Sequence, residues 1–344
     1  MLKPSFIWLL HQPASATWCK RELAEKRPDL RFAFSRPGLT TFKLDEAHVD
    51  APVPSSFARA HGYSLGRAAD AAGVLAWAEA LPEPPLRLHV FERDPDKPAD
   101  ERDRNVAGSR ATALEQELRA AAPHRFLPGN EARAGEWVLD VITAPAEHAP
   151  EELFVGWHKH DRTRGRFPGG VGHAWVPPSA PSRAWAKIEE AIAWSGLLPR
   201  AGEVAVEIGA SPGGASYALL ERGLTVHGVD PGEMAPIVFG FEDRFVHHAL
   251  PAAEVQRKDL PRTFQWLASD VNLAPMIALK YVERFVALAH GGLRGAFITL
   301  KLNDDGVFAA LPKLAHRIER LGAREVRYVQ LPSHRSEIAA ILAW

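Results

Sequence analysis

Cysteine is almost absent. Cys19 stands alone among 344 residues, so neither an internal disulfide nor a multi-cysteine zinc site can form. A lone thiol suits a reducing compartment, and its ordinary role is that of a small buried hydrophobe. Long apolar runs are lacking too. The longest early run, Phe6 to Leu10, is too short for a signal-peptide core, and nothing approaches the ~18 residues of a membrane span. A cytoplasmic protein with no membrane partner is expected, and no obligate protein partner is evident. Nor is there an excess of charge of one sign, since 41 Lys and Arg meet 42 Asp and Glu for a net charge of −1. Basic character spread over the whole chain is therefore excluded, and any affinity for polyanions must be local.

What is present is enough for more than one hydrophobic core: 46% of residues are apolar and 24% charged, in a chain long enough for about two to three domains. Within residues 1–80, short strands at Phe6 to Leu10, Arg31 to Ser35 and Leu39 to Leu44 surround a helix from Ala16 to Lys26, the pattern of a small α+β domain. Leu81-Pro82-Glu83-Pro84-Pro85 breaks the chain. Residues 81–175 read as a second α+β domain, with strands at Leu86 to Glu92, Glu136 to Thr143 and Leu153 to His158 and a helix from Thr112 to Ala121. Its charge-dense stretch, Asp94 to Arg104, reads as a solvated loop.

Gly165 to Pro181 has no periodicity and reads as a connector, after which Ser182 can cap a helix with Trp185, Ile188 and Ile192 at helical spacing. From there to the end, strands alternate with helices: Glu203 to Ile208, Leu224 to Val229, Arg244 to His248, Thr263 to Ser269, Ala296 to Leu300, Arg324 to Val329 and Glu337 to Leu342, with helical stretches after Gly214, Ala274 and Gly306. Residues 176–344 are thus expected to form a doubly wound, Rossmann-like α/β domain, behind the two small α+β domains.

Locally the charge is uneven. Between Trp157 and Lys187, the bases Lys159, Arg162, Arg164, Arg166, Arg183 and Lys187 face the single acid Asp161. Such a run can bind RNA phosphates. Trp157, Trp175 and Trp185 lie in or beside it, suited equally to stacking on unpaired bases and to packing in a core. His158, His160 and His173 lack Cys or carboxylate partners at ligand spacing, so polar surface or RNA contact is expected of them and no metal site. His247 and His248 read as structural.

The first strand of the α/β domain runs into Gly209-Ala210-Ser211-Pro212-Gly213-Gly214 and a helix. Glycines let backbone approach a ligand, and a helix N-terminus offers free N–H groups to a carboxylate or phosphate. Ser211 stands where the dinucleotide fingerprint needs its second glycine, which disfavours a nicotinamide cofactor. Asp230 ends the second strand, where an acid can accept hydrogen bonds from a ribose. The pair suggests an adenosyl ligand.

Glu207-Ile208-Gly209-Ala210-Ser211-Pro212-Gly213-Gly214 resembles motif I of the FtsJ-like ribose 2'-O-methyltransferases. The resemblance implies S-adenosyl-L-methionine as cofactor, held by Gly209, Ser211, Pro212, Gly213, Gly214, Asp230 and Asp270. It also implies a Lys-Asp-Lys-Glu catalytic tetrad, for which Lys187, Asp270, Lys301 and Glu337 occur in the expected order. Within the family the likeness is to the RlmM type. It rests on Pro181 to Ala191 and on Val229-Asp230-Pro231-Gly232-Glu233-Met234-Ala235, and it implies methylation of a cytidine ribose in 23S rRNA. That type carries a ferredoxin-like and an RNA-binding THUMP domain in front, the places held here by residues 1–80 and 81–175. The likeness is strong over 180–344 and mostly one of layout before that. Ser211 replaces a more usual Cys or Ala, and where the family places an Asp near the adenine, this sequence offers only Glu254.

Methyl transfer to a hydroxyl is an in-line displacement that needs alignment and removal of a poorly acidic proton, and it requires no metal. A lysine can be the base only as a neutral amine. Lys301 is expected in that role, with Lys187 as the cationic neighbour that lowers its pKa and Asp270 and Glu337 as orienting acids. Taken singly, each of the four is an ordinary surface or strand-end residue; together they end the strands that form the ligand crevice of this architecture. Two other readings stay open: a methyltransferase of the same fold on another RNA or a small hydroxylated molecule, and an RNA-binding assembly factor without catalysis.

Overall fold

The computed structural model describes residues 4–45, 51–82, 85–94, 109–145, 152–171, 176–302 and 305–344. His173, Trp175 and the whole of the charged stretch after Asp94 lie outside them. The chain forms two compact units, Met1–His173 and Ala174–Trp344.

The first unit holds β1 (Phe6–His11), α1 (Ala16–Lys26), β2 (Arg31–Arg36), β3 (Leu39–Lys43), β4 (Ala58–Ala68), α2 (Ala71–Ala78), β5 (Arg87–Glu92), α3 (Ser109–Ala121), β6 (Trp137–Thr143) and β7 (Leu153–Lys159). Its strands make one sheet in the order β2-β3-β1-β4-β7-β6-β5. The division expected at residue 80 therefore does not interrupt the sheet. β4 is the reason: it pairs with β1 on one edge and with β7 on the other, Tyr63 opposite Trp157, so neither half is left with an open edge there. The sequence of β4, ARAHGYSLGRA, has no β-branched residue and two glycines, which is why it carries no strand signal. α2 begins at Asp70, whose carboxylate caps the Gly73 N–H.

The second unit holds α4 (Ala184–Ser195), β8 (Val204–Ile208), α5 (Gly214–Glu221), β9 (Thr225–Val229), α6 (Pro236–Phe239), β10 (Phe245–His248), β11 (Trp266–Ser269), α7 (Pro275–Leu288), β12 (Gly295–Lys301), α8 (Asp305–Glu319), β13 (Glu325–Val329) and β14 (Glu337–Ala343). All seven expected strands are present. The sheet order is β10-β9-β8-β11-β12-β14-β13, parallel except that β14 runs antiparallel to both of its neighbours. β11 is buried along its whole length and β12 up to its last residue, as in a sheet covered on both faces. Trp185, Ile188 and Ile192 of α4 are buried as their spacing requires, and the helix stops at Gly196 in the left-handed conformation.

Chain order reverses between β8 and β11. Strands β9 and β10 are added on one side of β8, β11 and β12 on the other, and at such a switch point the loops after the two central strands part and leave a crevice.

Candidate active site

The loops after β8 and β11 carry the glycine-rich segment and Asp270. Gly209 has φ of +81°, and a Cβ there would stand 2.8 Å from Val271 Cγ1. Gly213, at φ of +115°, would meet Val238 Cγ1 at the same distance. Side chains are thus excluded twice over at both positions, by backbone conformation and by space. Asp230 ties this loop to the end of β9. Its Oδ2 accepts from Ser211 N at 3.2 Å and its Oδ1 from Gly232 N at 2.7 Å. Ser211 Oγ donates to Glu233 O at 2.7 Å, and Pro212 O accepts from Ala235 N at 2.8 Å. Gly214 opens α5, whose N-terminus has no side-chain cap. Glu254 is exposed on a turn after β10.

Lys187, Asp270, Lys301 and Glu337 come together at this edge. Lys187 lies on α4, Asp270 directly follows β11, Lys301 ends β12, and Glu337 opens β14 opposite Lys301 in the antiparallel register. The charges alternate around a closed ring. Lys187 Nζ is 2.8 Å from Asp270 Oδ2 and 2.9 Å from Glu337 Oε2, while Lys301 Nζ is 2.5 Å from Glu337 Oε1 and 3.0 Å from Asp270 Oδ1. Asp270 thus faces one lysine with each of its carboxylate oxygens. Two ammoniums and two carboxylates leave no net charge to desolvate, the condition under which charges tolerate this degree of burial.

The ring overturns one electrostatic expectation. Lys187 does not act on Lys301 as a bare cationic neighbour, because both carboxylates contact both amines. Burial pulls the Lys301 pKa down, but Asp270 and Glu337 outweigh it and hold the pKa above the ordinary lysine value. Burial pushes the carboxyls of Asp270 and Glu337 up, and the lysines more than reverse this, leaving both below the usual carboxylate range. At rest Lys301 is an ammonium.

Glu207, in the motif yet not expected as a site residue, is fully buried on β8 and accepts from Ser216 Oγ at 2.5 Å. Burial pushes its pKa up to about 8, so it is largely protonated at neutral pH. Its strand position, two residues before Gly209, was the available signal.

The basic run is less open than its sequence suggests. Lys159 and Arg162 are exposed, whereas Arg164 pairs with Asp161 and Arg166 with Glu131. Arg183 precedes α4 in the other unit and is half-buried. His158 and His160 are not surface residues: both are 4% exposed. His158 Nδ1 lies 2.6 Å from Asp140 Oδ2; burial raises the Asp140 pKa to about 7 and lowers that of His158 to about 3, so the imidazole is neutral. Trp157 and Trp185 are buried as well. Trp157 packs beside Tyr63 and Trp137, and Trp185 donates to Glu221, which removes both as stacking platforms. His248 pairs with His227, and His247 contacts Asp230 O. Among the described residues no group of His, Cys, Asp and Glu could hold a metal ion, and no helix is long and apolar enough to cross a membrane.

Glycine turn, switch-point crevice and parallel sheet place the second unit in the class of Rossmann-like methyltransferase domains. The family follows from sequence: residues 180–305 match the FtsJ-like methyltransferase model, and the unit contains an FtsJ-like methyltransferase domain, whose cofactor is S-adenosyl-L-methionine. The chain is 33% identical over 180 residues to "Ribosomal RNA large subunit methyltransferase M" of Halorhodospira halophila, covering 50% of each. It is 31% identical over 235 residues to the protein of the same name from Dickeya chrysanthemi, covering 64% of this chain and 61% of that one. The chain thus spans about half to three fifths of the length of these curated relatives. The residues present fit the cofactor, since the loop is bare of side chains at Gly209 and Gly213, the α5 amides lack a cap, and Asp230 stands at the end of β9.

Proposed function

We propose that the protein transfers a methyl group from S-adenosyl-L-methionine to the ribose 2'-hydroxyl of an RNA, a cytidine of 23S rRNA. The closed Lys187-Asp270-Lys301-Glu337 ring beside the glycine loop carries this reading. Gly209, Ser211, Pro212, Gly213 and Gly214 would hold the methionine end of the cofactor, and Asp230 its ribose. Glu254 is the acid at hand for the adenine. When bound, the cofactor supplies a methyl group activated on a positively charged sulfur.

Lys301 is the proton acceptor. It must first lose its own proton, which the carboxylates oppose, and any positive charge added to the crevice favours that loss. As a neutral amine held by Asp270 and Glu337, it takes the hydroxyl proton while the oxygen attacks. Lys187 keeps the carboxylates in place, so that Lys301 can give up charge without leaving two unpaired anions.

The first unit would be the RNA-binding part, residues 1–80 as a ferredoxin-like half and 81–175 as a THUMP-like half, with Lys159, Arg162, Arg164 and Arg166 toward phosphates; Arg183, in the second unit, would be an RNA contact of that unit. The names of the relatives from Halorhodospira halophila and Dickeya chrysanthemi, ribosomal RNA large subunit methyltransferases, support this reading. The test is ribose-methylation mapping of total RNA with and without the protein, beside calorimetry with S-adenosyl-L-methionine. A single cytidine in 23S rRNA that loses its mark is the expected result. Loss at no ribose, with the cofactor still bound, would move the activity to another acceptor.

A further inference from the structure

The sheet of the first unit carries its helices on one face. Val74 of α2 and Leu118 of α3 pack with Val141, Val155 and Trp157 of the strands, and Lys20 of α1 lies over the Phe32 ring, 4.2 Å from its centroid. The buried cluster on the opposite face, Trp8, Leu10, Leu39, Phe91 and Ile142, draws on strands alone. Its middle is covered by the turn at Gly169, which stands against Phe91 and Leu10. A sheet with helices on one side has its second face available for other contacts.

At the β2 end, that second face gathers rings and cations. Thr41 is opposite Trp8 in the β3–β1 register and opposite Phe34 in β2, while Arg36 stands opposite Leu39 and Arg31 opposite Lys43, so these side chains share the face of Trp8. A register shift between Phe32 and Phe34 turns Phe32 to the helix-bearing side. Phe154 joins Phe34 from β7, with the ring centroids 5.9 Å apart. The Arg36 guanidinium lies over Phe34 at 4.5 Å from the centroid, and that of Arg67 lies 4.7 Å from Phe34 and 5.3 Å from Phe154. The two rings are half-buried, whereas Arg31, Arg36, Lys43 and Arg67 are exposed, so the rings hold two guanidinium planes at the surface. Arg67 also pairs with Glu152 at 2.9 Å, an exposed bridge that contributes little. Arg31 and Lys43 are like charges directly across from one another, which is destabilising, and among the described residues no carboxylate pairs with either.

We propose that the β2 end of this helix-free face binds single-stranded RNA: unpaired bases stack on the guanidiniums of Arg36 and Arg67, which Phe34 and Phe154 hold in place, and phosphates meet Arg31 and Lys43. Unpaired bases offer the planes on which guanidiniums stack, and a duplex hides them. A protein strand added to β2 is disfavoured, because Arg31 and Arg36 charge the edge it would pair with. The surface is not the one centred on residues 159–166. Lys159 follows Trp157 by two positions on β7 and so falls on the helix-bearing face.

This inference rests on the reading of the first unit as the RNA-binding part, and the test separates the two. The probes are an unstructured single-stranded RNA of about ten nucleotides and a duplex of the same length, each bound to the full chain over a salt series by fluorescence anisotropy. Arg31→Gln with Lys43→Gln should reduce the slope of log K against log salt for the single strand by about 1.4, the share of two phosphates. Because it removes a like-charge pair, this variant should melt no lower than wild type. Phe34→Leu keeps every charge and an apolar side chain but removes the ring under the guanidiniums. It should weaken single-strand binding about two- to five-fold with the salt slope and the duplex affinity unchanged. Phe32, 54% exposed but on the helix-bearing side, serves as the control, and Phe32→Ala should change neither affinity. Single-strand binding unmoved by both β2 variants, or weakened by Phe32→Ala as much as by Phe34→Leu, would overturn the proposal. So would a wild type that uses β2 to pair with a second copy or a peptide in place of RNA. A wild type that binds the single strand through these residues and methylates no ribose would overturn the proposed function and leave this surface standing.

Discussion

Asp270 touches both lysines of the ring, so Asp270→Asn is the sharpest perturbation of it. The variant keeps the shape of the side chain and removes one of the two negative charges, leaving Lys187 and Lys301 to share Glu337. Removing one partner of a buried ion pair costs about 3–5 kcal/mol. Here the four side chains are 9% to 18% exposed and Glu337 remains between the amines, which reduces the expected loss to about 2–3 kcal/mol. For a unit of the size of Ala174–Trp344, that lowers the melting temperature by roughly 4–12 °C. Scanning calorimetry of the full chain at neutral pH should show that downward shift. Adding Lys187→Met to Asp270→Asn removes one positive charge as well and leaves the Lys301–Glu337 pair intact at 2.5 Å. The double variant should therefore be more stable than the sum of the single losses by about 1–2 kcal/mol. Strictly additive losses, or an Asp270→Asn variant as stable as wild type, would refute the idea that the four charges act as one network.

Lys301→Ala should reduce turnover by a factor of about 10² or more, the lower end of what general-base catalysis contributes, with cofactor affinity retained. Lys301→Arg should fail equally because a guanidinium does not lose its proton; substantial single-turnover activity in it would move the base to Lys187 or solvent. Asp270 and Glu337 have folded pKa values below their unfolded ones, so their contribution to stability is present above about pH 4 and is lost as the pH falls through the folded values. The raised pKa of Lys301 contributes stability that is full below the unfolded lysine value of about 10.4 and lost as the pH rises through the folded one. Urea titrations across pH should show both limbs, and the double variant Asp270→Asn with Glu337→Gln should flatten the acid limb; an unchanged acid limb would place the acid-labile groups elsewhere. Replacing the exposed Lys159 and Arg162 by Ala should weaken RNA binding and reduce the steepness of its salt dependence more than replacing the half-buried Arg164 and Arg166 does, and equal effects from both sets would show that the less exposed arginines also reach phosphates.

Local pattern alone made the second unit legible. Apolar runs bounded by turns announced its seven strands, the spacing of Trp185, Ile188 and Ile192 announced α4, and Gly209 and Gly213 marked positions where conformation and space admit no side chain. The four ring residues were named by the resemblance to the FtsJ-like family, whose tetrad they match in type and order, before any contact between them was known. The tertiary structure decided everything that depends on which distant residue becomes a neighbour. β4 is a strand because β1 and β7 flank it, not because of its own propensities. His158 and His160 read as surface groups beside a basic run and are buried, because the alternation of a strand does not say what covers its faces. The sign of the Lys301 shift changed for the same reason. Sequence placed two lysines near one another, but only the folded chain, by setting Lys301 opposite Glu337 in the β12–β14 register and α4 against the end of β11, put a carboxylate between them on either side. Electrostatic energy depends on distances of a few ångströms, and those are set by pairing across tens of residues, which no local pattern records.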